Sequence, residues 1–315
     1  MKKYIRTDLA AEAREIAAEE GNIDGIRSCE YEIGNIRVTE TIIESDEAAE
    51  KTGQAKGIYI SADIGKIWLD GSEIFKEKVF SLSNILKNIV TRTVPDASSL
   101  MVAGLGNRFI TADSIGPKCA DNIIVTRHIK NEQPLIYENL GLFDISAVSP
   151  GVLGQTGIES AEILKSIVDN IRPDLLIVID ALASRKLERL VTTVQLSTAG
   201  ISPGSGVGNR RCALNEESFG CPIIAIGIPT VVDVATLAFD AISRYISSEQ
   251  KDNSFSEKQH DEIRSLLSVN DLNFYVAPKE TDMIMKKASE LIGYSVNMCF
   301  NKELEYEEMI SLVNS

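Results

Sequence analysis

The stretch SLMVAGLGNRFITADSIGP, residues 99–117, combines a short apolar run, a glycine-rich loop and an acidic residue. Its first six residues are apolar enough for a strand buried on both faces, and residues 116–127 have the pattern of a helix. Strand, loop and helix form the unit of an α/β fold, in which ligands and catalytic groups gather at the carboxyl ends of strands. The loop is therefore either a nucleotide-binding loop or a turn that presents Asp113.

The same alternation of short apolar strands and helices continues along the chain. It predicts an α/β fold with a mostly parallel sheet between helix layers, and we also expect a smaller accessory sheet. The core of this fold is predicted at residues 57–246 and a helical C-terminal part at residues 257–315. Predicted strands lie at residues 33–43, 57–62, 99–104, 145–151, 174–182, 191–197 and 222–228, and predicted helices lie before residue 21 and at residues 73–90, 116–127, 158–171 and 231–246.

Composition and charge narrow the function classes. The chain has 32 Lys and Arg against 46 Asp and Glu, a net charge of −14, which argues against direct binding to nucleic acid or to an anionic membrane. No apolar run approaches the ~18 residues of a membrane span, and no apolar block follows the N-terminal lysines as in a secretory signal. The 5 cysteines are scattered without a C-x-x-C pair, so we expect no disulfide framework, no zinc knuckle and a cytoplasmic protein.

The glycine loops lack the patterns of nucleotide sites. A dinucleotide fingerprint needs G-x-G-x-x-G, and Phe109 occupies the position of the third glycine. The later run ISPGSGVGNRR, residues 201–211, has no predicted strand directly before it, and G-x-x-x-x-G-K-[ST] is absent. We therefore expect no nucleotide and no other cofactor.

Two aspartates follow predicted strands. Asp113 lies just past residues 99–104, and Asp180 closes the run DLLIVID. Because the carboxyl ends of parallel strands meet at one edge of a sheet, these carboxylates can share one crevice. Of two close acids one stays protonated as a general acid while the other activates water, which suits amide hydrolysis. The alternative for each aspartate is a helix N-cap.

Histidine- and serine-based chemistry has little support. The chain has only 2 histidines, His128 and His260, and neither H-E-x-x-H nor G-x-S-x-G occurs. His128 is placed at the end of a predicted helix, where a structural role is expected.

Five motifs carry a resemblance to a known family. GLGN-x3-TADSIGP, SAVSPGVLGQTGIES, IDALASR, STAGISPGSGVGNRR and AIGIPTVVDVATLA follow one another between residues 104 and 238. In this order they resemble the germination proteases of spore-forming Firmicutes. That family is similar in fold to the hydrogenase maturation proteases, which also carry a G-[IV]-G-N loop and a downstream acid.

The resemblance implies an activity and a location. Germination proteases are endopeptidases that degrade the small acid-soluble, DNA-binding proteins of the spore core, in the cytoplasm of the forespore and spore. They are homotetramers, and no metal is implied. By motif, the family's proposed catalytic aspartates fall on Asp113 and Asp180. Substrate-binding roles are expected for Asn107, for Arg185 (for which a surface ion pair is the alternative), and for Gly204 and Gly206.

The resemblance also implies a zymogen that cleaves its own N-terminal segment. Thr7-Asp-Leu-Ala-Ala-Glu12 resembles the family's substrate site, so we expect cleavage between Asp8 and Leu9, with residues 1–8 as the propeptide and residues 9–315 as a single protease domain. A second copy of the pattern, residues 15–19, lies in the predicted helix and is the less favoured site.

Two other functions remain open from the sequence. One is a metal-dependent maturation endopeptidase of the hydrogenase-processing type, which would need a histidine such as His128 close to the acids. The other is a non-catalytic binding or scaffold protein, whose function would not depend on the two aspartates.

Overall fold

The computed structural model of the chain describes residues 7–18, 24–201, 213–234, 236–238, 241, 274–301 and 303–314. Its strands form one sheet of nine strands in the order β1-β2-β3-β7-β8-β6-β4-β5, with β9 paired to β8. The strands are β1 (Ile26–Ile33), β2 (Ile36–Ile43), β3 (Gly57–Asp63), β4 (Ser99–Gly104), β5 (Asp144–Val148), β6 (Leu175–Ser184), β7 (Thr193–Ser197), β8 (Ile223–Asp233) and β9 (Tyr275–Val276).

The sheet has a parallel half and an antiparallel half. Strands β8, β6, β4 and β5 are parallel neighbours, whereas β1, β2, β3, β7 and β8 pair antiparallel in that order. The α/β class is confirmed. The expected accessory strands differ in that they extend the main sheet instead of forming a separate one, and parallel pairing is limited to four strands. The two-residue connection between β1 and β2 forces that pair to be antiparallel, because parallel neighbours need a long crossover.

Helices cover both faces of the sheet. Alternate residues of β6 show this: Ile177 and Ile179 belong to one apolar cluster, whereas Leu176 and Val178 belong to another. The first cluster includes side chains of α3, α4 and α10, and the second includes side chains of α8. The helices are α1 (Ala10–Ala18), α2 (Asp46–Thr52), α3 (Ser72–Thr93), α4 (Ile115–Asp121), α5 (Arg127–Glu132), α6 (Pro134–Asn139), α7 (Leu153–Thr156), α8 (Ser160–Ile171), α9 (Glu216–Phe219), α10 (Thr281–Phe300) and α11 (Tyr306–Val313). None of the helices in the described part of the chain is long and apolar enough to cross a membrane.

The predicted helix at residues 231–246 is wrong at its start. Strand β8 continues to Asp233, and helical residues begin only at Val234. The reason is tertiary: Val231 and Val232 pair with Ala183 and Ser184 of β6, and β-branched residues suit that paired backbone. Strand β6 likewise runs on to Ser184, two residues beyond its predicted end.

Candidate active site

The loop after β4 is a turn that positions Asp113. Its carboxylate Oδ2 accepts a hydrogen bond from the Asn107 N–H at 2.7 Å, and its own N–H donates to the Ile110 carbonyl at 2.8 Å. Gly106 makes this close approach possible, because it has a φ of +110° and a Cβ there would lie 2.1 Å from the Asp113 carbonyl oxygen. Of the two alternatives from the sequence, a nucleotide-binding loop and a turn that presents Asp113, the loop has the geometry of the turn.

The segment that carries Asp113 packs directly on the strand that carries Asp180. The Leu105 N–H donates to the Ile179 carbonyl at 2.8 Å, one residue before Asp180. Just past Asp113, Gly116 is so close that a Cβ would lie 2.5 Å from the same Ile179 carbonyl oxygen. The structure thus brings the loop of Asp113 and the strand of Asp180 into contact at one edge of the parallel half.

Neither aspartate caps a helix. The N-cap residue of α4 is Ser114, and the cap makes no side-chain hydrogen bond. Asp180 lies inside β6, and its Oδ1 accepts a hydrogen bond from the N–H of Ala181 at 2.8 Å. Asp180 is buried, with 6% of its surface exposed, and Asp113 is half-buried. The helix N-cap that the sequence left open for each aspartate is therefore not found.

The bond predicted for self-cleavage lies against this region. The N–H of Asp8 donates to the Ala183 carbonyl, and Asp8 Oδ2 accepts from the Ala183 N–H, both at 2.9 Å. The Asp8 carbonyl oxygen accepts from Nε2 of Gln195 at 3.1 Å, and the N–H of Ala10 donates to Oε1 of Gln195 at 2.7 Å. Leu9 between them is fully buried. Asp8 and Leu9 are thus bound three residues beyond Asp180 along β6.

The segment is anchored by a buried glutamate at the start of α1. Glu12 is 1% exposed, and its carboxylate accepts hydrogen bonds from the N–H groups of Arg185 at 2.7 Å and Lys186 at 3.1 Å. The hydroxyl of Thr7 also donates to it, and Arg189 forms an ion pair with it at 3.5 Å. Three hydrogen-bond donors and one guanidinium group thus converge on one buried carboxylate.

Glu15, one helical turn later, adds a second charged contact. Its carboxylate pairs with Lys186 and Arg189, each at 2.6 Å. Burial on its own raises the pKa of Glu15, but the hydrogen bonds and charges of Lys186 and Arg189 outweigh burial and lower that pKa below its ordinary value. The negative charge of Glu15 therefore contributes to the docking of α1.

The residues predicted to bind substrate differ in what the structure shows of them. Asn107 Oδ1 accepts from the Phe109 N–H at 3.0 Å and from Gln155 Nε2 at 2.6 Å, so its side chain organises the loop. The main chain of Arg185 binds Glu12, as stated above. Gly204 and Gly206 lie outside the described residues.

His128 lies at the other edge of the parallel half. Its neighbour Arg127 pairs with Asp144 at the start of β5. Asp113 instead follows the carboxyl end of β4, and Asp180 lies inside β6, one residue beyond the level at which β4 ends. Within the described residues no three His, Cys, Asp or Glu side chains are grouped as a metal site would need. His128 therefore does not lie close to the two aspartates, as the metal-dependent maturation endopeptidase would need.

Two residues of the site were missed from the sequence. Gln195 lies between Val194 and Leu196 in β7 and is buried, and a long polar side chain between apolar residues of a buried strand is a signal that the sequence offers. Arg189 carries no comparable signal, because its role depends on where α1 docks.

Comparison with known proteins identifies the family. A family model described as "Germination protease" matches residues 5–260. Germination proteases of Clostridium acetobutylicum and Caldanaerobacter subterraneus subsp. tengcongensis are each 41% identical to this chain, over 98% of it and over 99% and 98% of their own lengths. The germination protease of Bacillus subtilis (strain 168) is 34% identical over 96% of this chain and 95% of its own length.

Among solved structures, a [NiFe] hydrogenase maturation protease from Thermococcus kodakarensis KOD1 aligns with 46% of this chain and 80% of its own, at 17% identity and a TM-score of 0.31. That superposition is too weak to carry an argument, and the fold rests on the sheet described above. The family match covers most of the chain, and the curated relatives align with it over nearly their full length. The chain therefore belongs to the germination protease family.

Proposed function

We propose that this chain is a self-processing endopeptidase that initiates the degradation of small acid-soluble, DNA-binding spore proteins during germination. Membership of the family supports a spore protease. The observation that carries the rest is the contact between the loop of Asp113 and the strand of Asp180, with the Asp8–Leu9 peptide bound on the same strand. That arrangement unites two carboxyl groups and a peptide bond in one part of the molecule.

In the proposed reaction the two aspartates share the work of acid and base. The ionised aspartate takes a proton from a water molecule, whose oxygen bonds to the carbonyl carbon of Asp8. The π electrons move to the carbonyl oxygen and return as the C–N bond breaks. The protonated aspartate gives its proton to the nitrogen of Leu9. The products are a new carboxylate at Asp8 and a new amino group at Leu9.

The contacts of the N-terminal segment support a role for it in restraining the enzyme. A substrate peptide needs access to the aspartates, and Asp8 is bound to β6 three residues beyond Asp180, with Leu9 buried next to it. We propose that residues 1–8 form the propeptide. After cleavage between Asp8 and Leu9, the N-terminal segment can leave β6, and a substrate peptide can reach the aspartates. By family we further place the enzyme in the cytoplasm of the forespore and spore as a homotetramer. Its net charge of −14 supports protein substrates over direct binding to DNA.

Cleavage of a small acid-soluble spore protein in trans tests this function. We expect a chain that starts at Leu9 to cleave faster than the 315-residue chain, and Asp113→Asn and Asp180→Asn to abolish cleavage in both. Asp63→Asn is the matched control, because Asp63 is also an aspartate of a strand but is exposed at the end of β3. Full activity in either catalytic variant, or no gain on truncation, would contradict the proposal.

A further inference from the structure

The side chain of Gln195 holds the main chain on both sides of the Asp8–Leu9 bond. Nε2 donates to the carbonyl oxygen of Asp8 at 3.1 Å, and Oε1 accepts from the N–H of Ala10 at 2.7 Å. Gln195 is 7% exposed, so both hydrogen bonds are largely shielded from water. Because the amide binds only main-chain atoms, it holds the peptide independently of the side chains in it.

The sheet register places Gln195 and Asp180 on one face. Gln195 of β7 pairs with Gly227 of β8, and Gly227 pairs with Asp180 of β6. Directly paired residues project to the same face, and two strand spacings separate Gln195 from Asp180 by about 10 Å. Gly227 between them has no side chain, and the side chain of Leu182 packs over it, since a Cβ there would lie 2.4 Å from Leu182 Cδ1. The three strands therefore align the amide and the carboxylate in one row.

Peptide hydrolysis is helped by a hydrogen-bond donor that faces the carbonyl oxygen of the bond to be broken, and Nε2 of Gln195 faces that oxygen of Asp8. When water adds to the carbonyl carbon, negative charge develops on the carbonyl oxygen. The peptide N–H groups at the carboxyl end of β6 are already used, because the N–H of Ala181 donates to Asp180 and that of Ala183 to the side chain of Asp8. The Nε2–H of Gln195, in contrast, donates to the carbonyl oxygen of Asp8, the residue before the bond that is cleaved in the proposed function.

We infer that Gln195 is a further catalytic residue, whose Nε2–H stabilises the oxyanion formed from the scissile carbonyl while Oε1 fixes the amide two residues later. The inference rests on the proposed cleavage between Asp8 and Leu9. Water supplies the new C–O bond and the aspartates move the protons, so Gln195 neither gains nor loses a proton. Gln195 binds the main chain of the peptide to be cleaved, and this peptide is either the N-terminal segment of the chain itself or part of a protein substrate.

Self-processing of the 315-residue chain tests the inference, with loss of residues 1–8 followed by intact mass. Loss of one oxyanion donor lowers a rate about 10²- to 10³-fold, and we expect this fall in Gln195→Met. Gln133→Met is the matched control, because Gln133 is exposed next to α5, and we expect its rate to equal that of the wild type.

A second variant separates stabilisation of the oxyanion from simple positioning. Gln195→Glu is nearly isosteric and lacks the donor when ionised, but its protonated form carries an O–H donor. We therefore expect its rate, divided by that of the wild type at the same pH, to rise as the pH falls. Thermal unfolding of each variant checks that it folds.

The outcomes distinguish the inference from its premise. A wild-type rate in Gln195→Met, with Asp180→Asn inactive, overturns the inference and leaves the proposed function standing. A slow Gln195→Met combined with a pH-independent ratio for Gln195→Glu also overturns it, because the amide then only positions the peptide. No processing in the wild type, or processing in Asp180→Asn, overturns the proposed function and the inference together.

Discussion

Replacement of Glu12 by alanine should release the N-terminal segment from the body of the protein. The buried carboxylate of Glu12 accepts hydrogen bonds from two main-chain N–H groups, those of Arg185 and Lys186. Glu12→Ala leaves both donors without this acceptor. A buried donor left unsatisfied costs about 1–3 kcal/mol, so two donors cost about 2–6 kcal/mol.

The lower part of that range applies here. Arg185 and Lys186 are half-buried, and removal of the glutamate side chain leaves room for water to reach their N–H groups. We therefore expect the docked segment to lose about 2–4 kcal/mol, which raises the fraction of open molecules roughly 30- to 1,000-fold.

Amide hydrogen exchange measures this opening directly. The N–H of Ala10 is bound to Gln195 and that of Ala13 to the Leu9 carbonyl, so both should exchange faster by the same factor. Glu47→Ala is the matched control, because Glu47 pairs with Lys51 on an exposed face of α2 and should leave these amides unchanged. Unchanged exchange at Ala10 in Glu12→Ala would contradict this prediction, because the hydrogen bonds of Glu12 would then contribute nothing to docking.

Three further predictions follow from the same contacts. Gly106→Ala should abolish self-processing, because its Cβ would lie 2.1 Å from the Asp113 carbonyl oxygen, whereas Gly154→Ala, where a Cβ meets nothing within 4 Å, should process normally. Lys186 and Arg189 lower the pKa of Glu15, so its contribution to docking is complete above the ordinary value of 4.5 and is lost as the pH falls through the lowered value; hydrogen exchange of α1 against pH should show this loss, and Glu15→Gln should remove it. A metal chelator should leave the rate of self-processing unchanged, and a loss that added Zn²⁺ restores would instead favour the metal-dependent alternative.

The sequence predicts the position of the two aspartates better than it predicts the surroundings. Asp113 and Asp180 follow short apolar runs, and the rule that strand ends meet at one edge is enough to place them in the same region. In the parallel half β4 has its predicted bounds and β6 lies within two residues of them, because burial on both faces leaves a strong signal, whereas β8 runs five residues past its predicted end.

What the sequence does not predict depends on strand register and long-range docking. Gln195 gains its role because β7 and β8 align it with Gly227 and Asp180, and no local pattern encodes that alignment. The continuation of β8 to Asp233 likewise depends on pairing with β6. The burial of Glu12 follows from the docking of α1, although the helix itself is predictable from its alanines and glutamates.

We propose that Asp113 and Asp180 hydrolyse the bond between Asp8 and Leu9. The most direct test of this proposal is the intact mass of the purified wild type and of the Asp180→Asn chain after incubation at mildly acid pH. We predict that the wild type loses residues 1–8 and that the variant keeps them. Equal loss of residues 1–8 from both chains would contradict the account, because cleavage would then not depend on the carboxylate of Asp180.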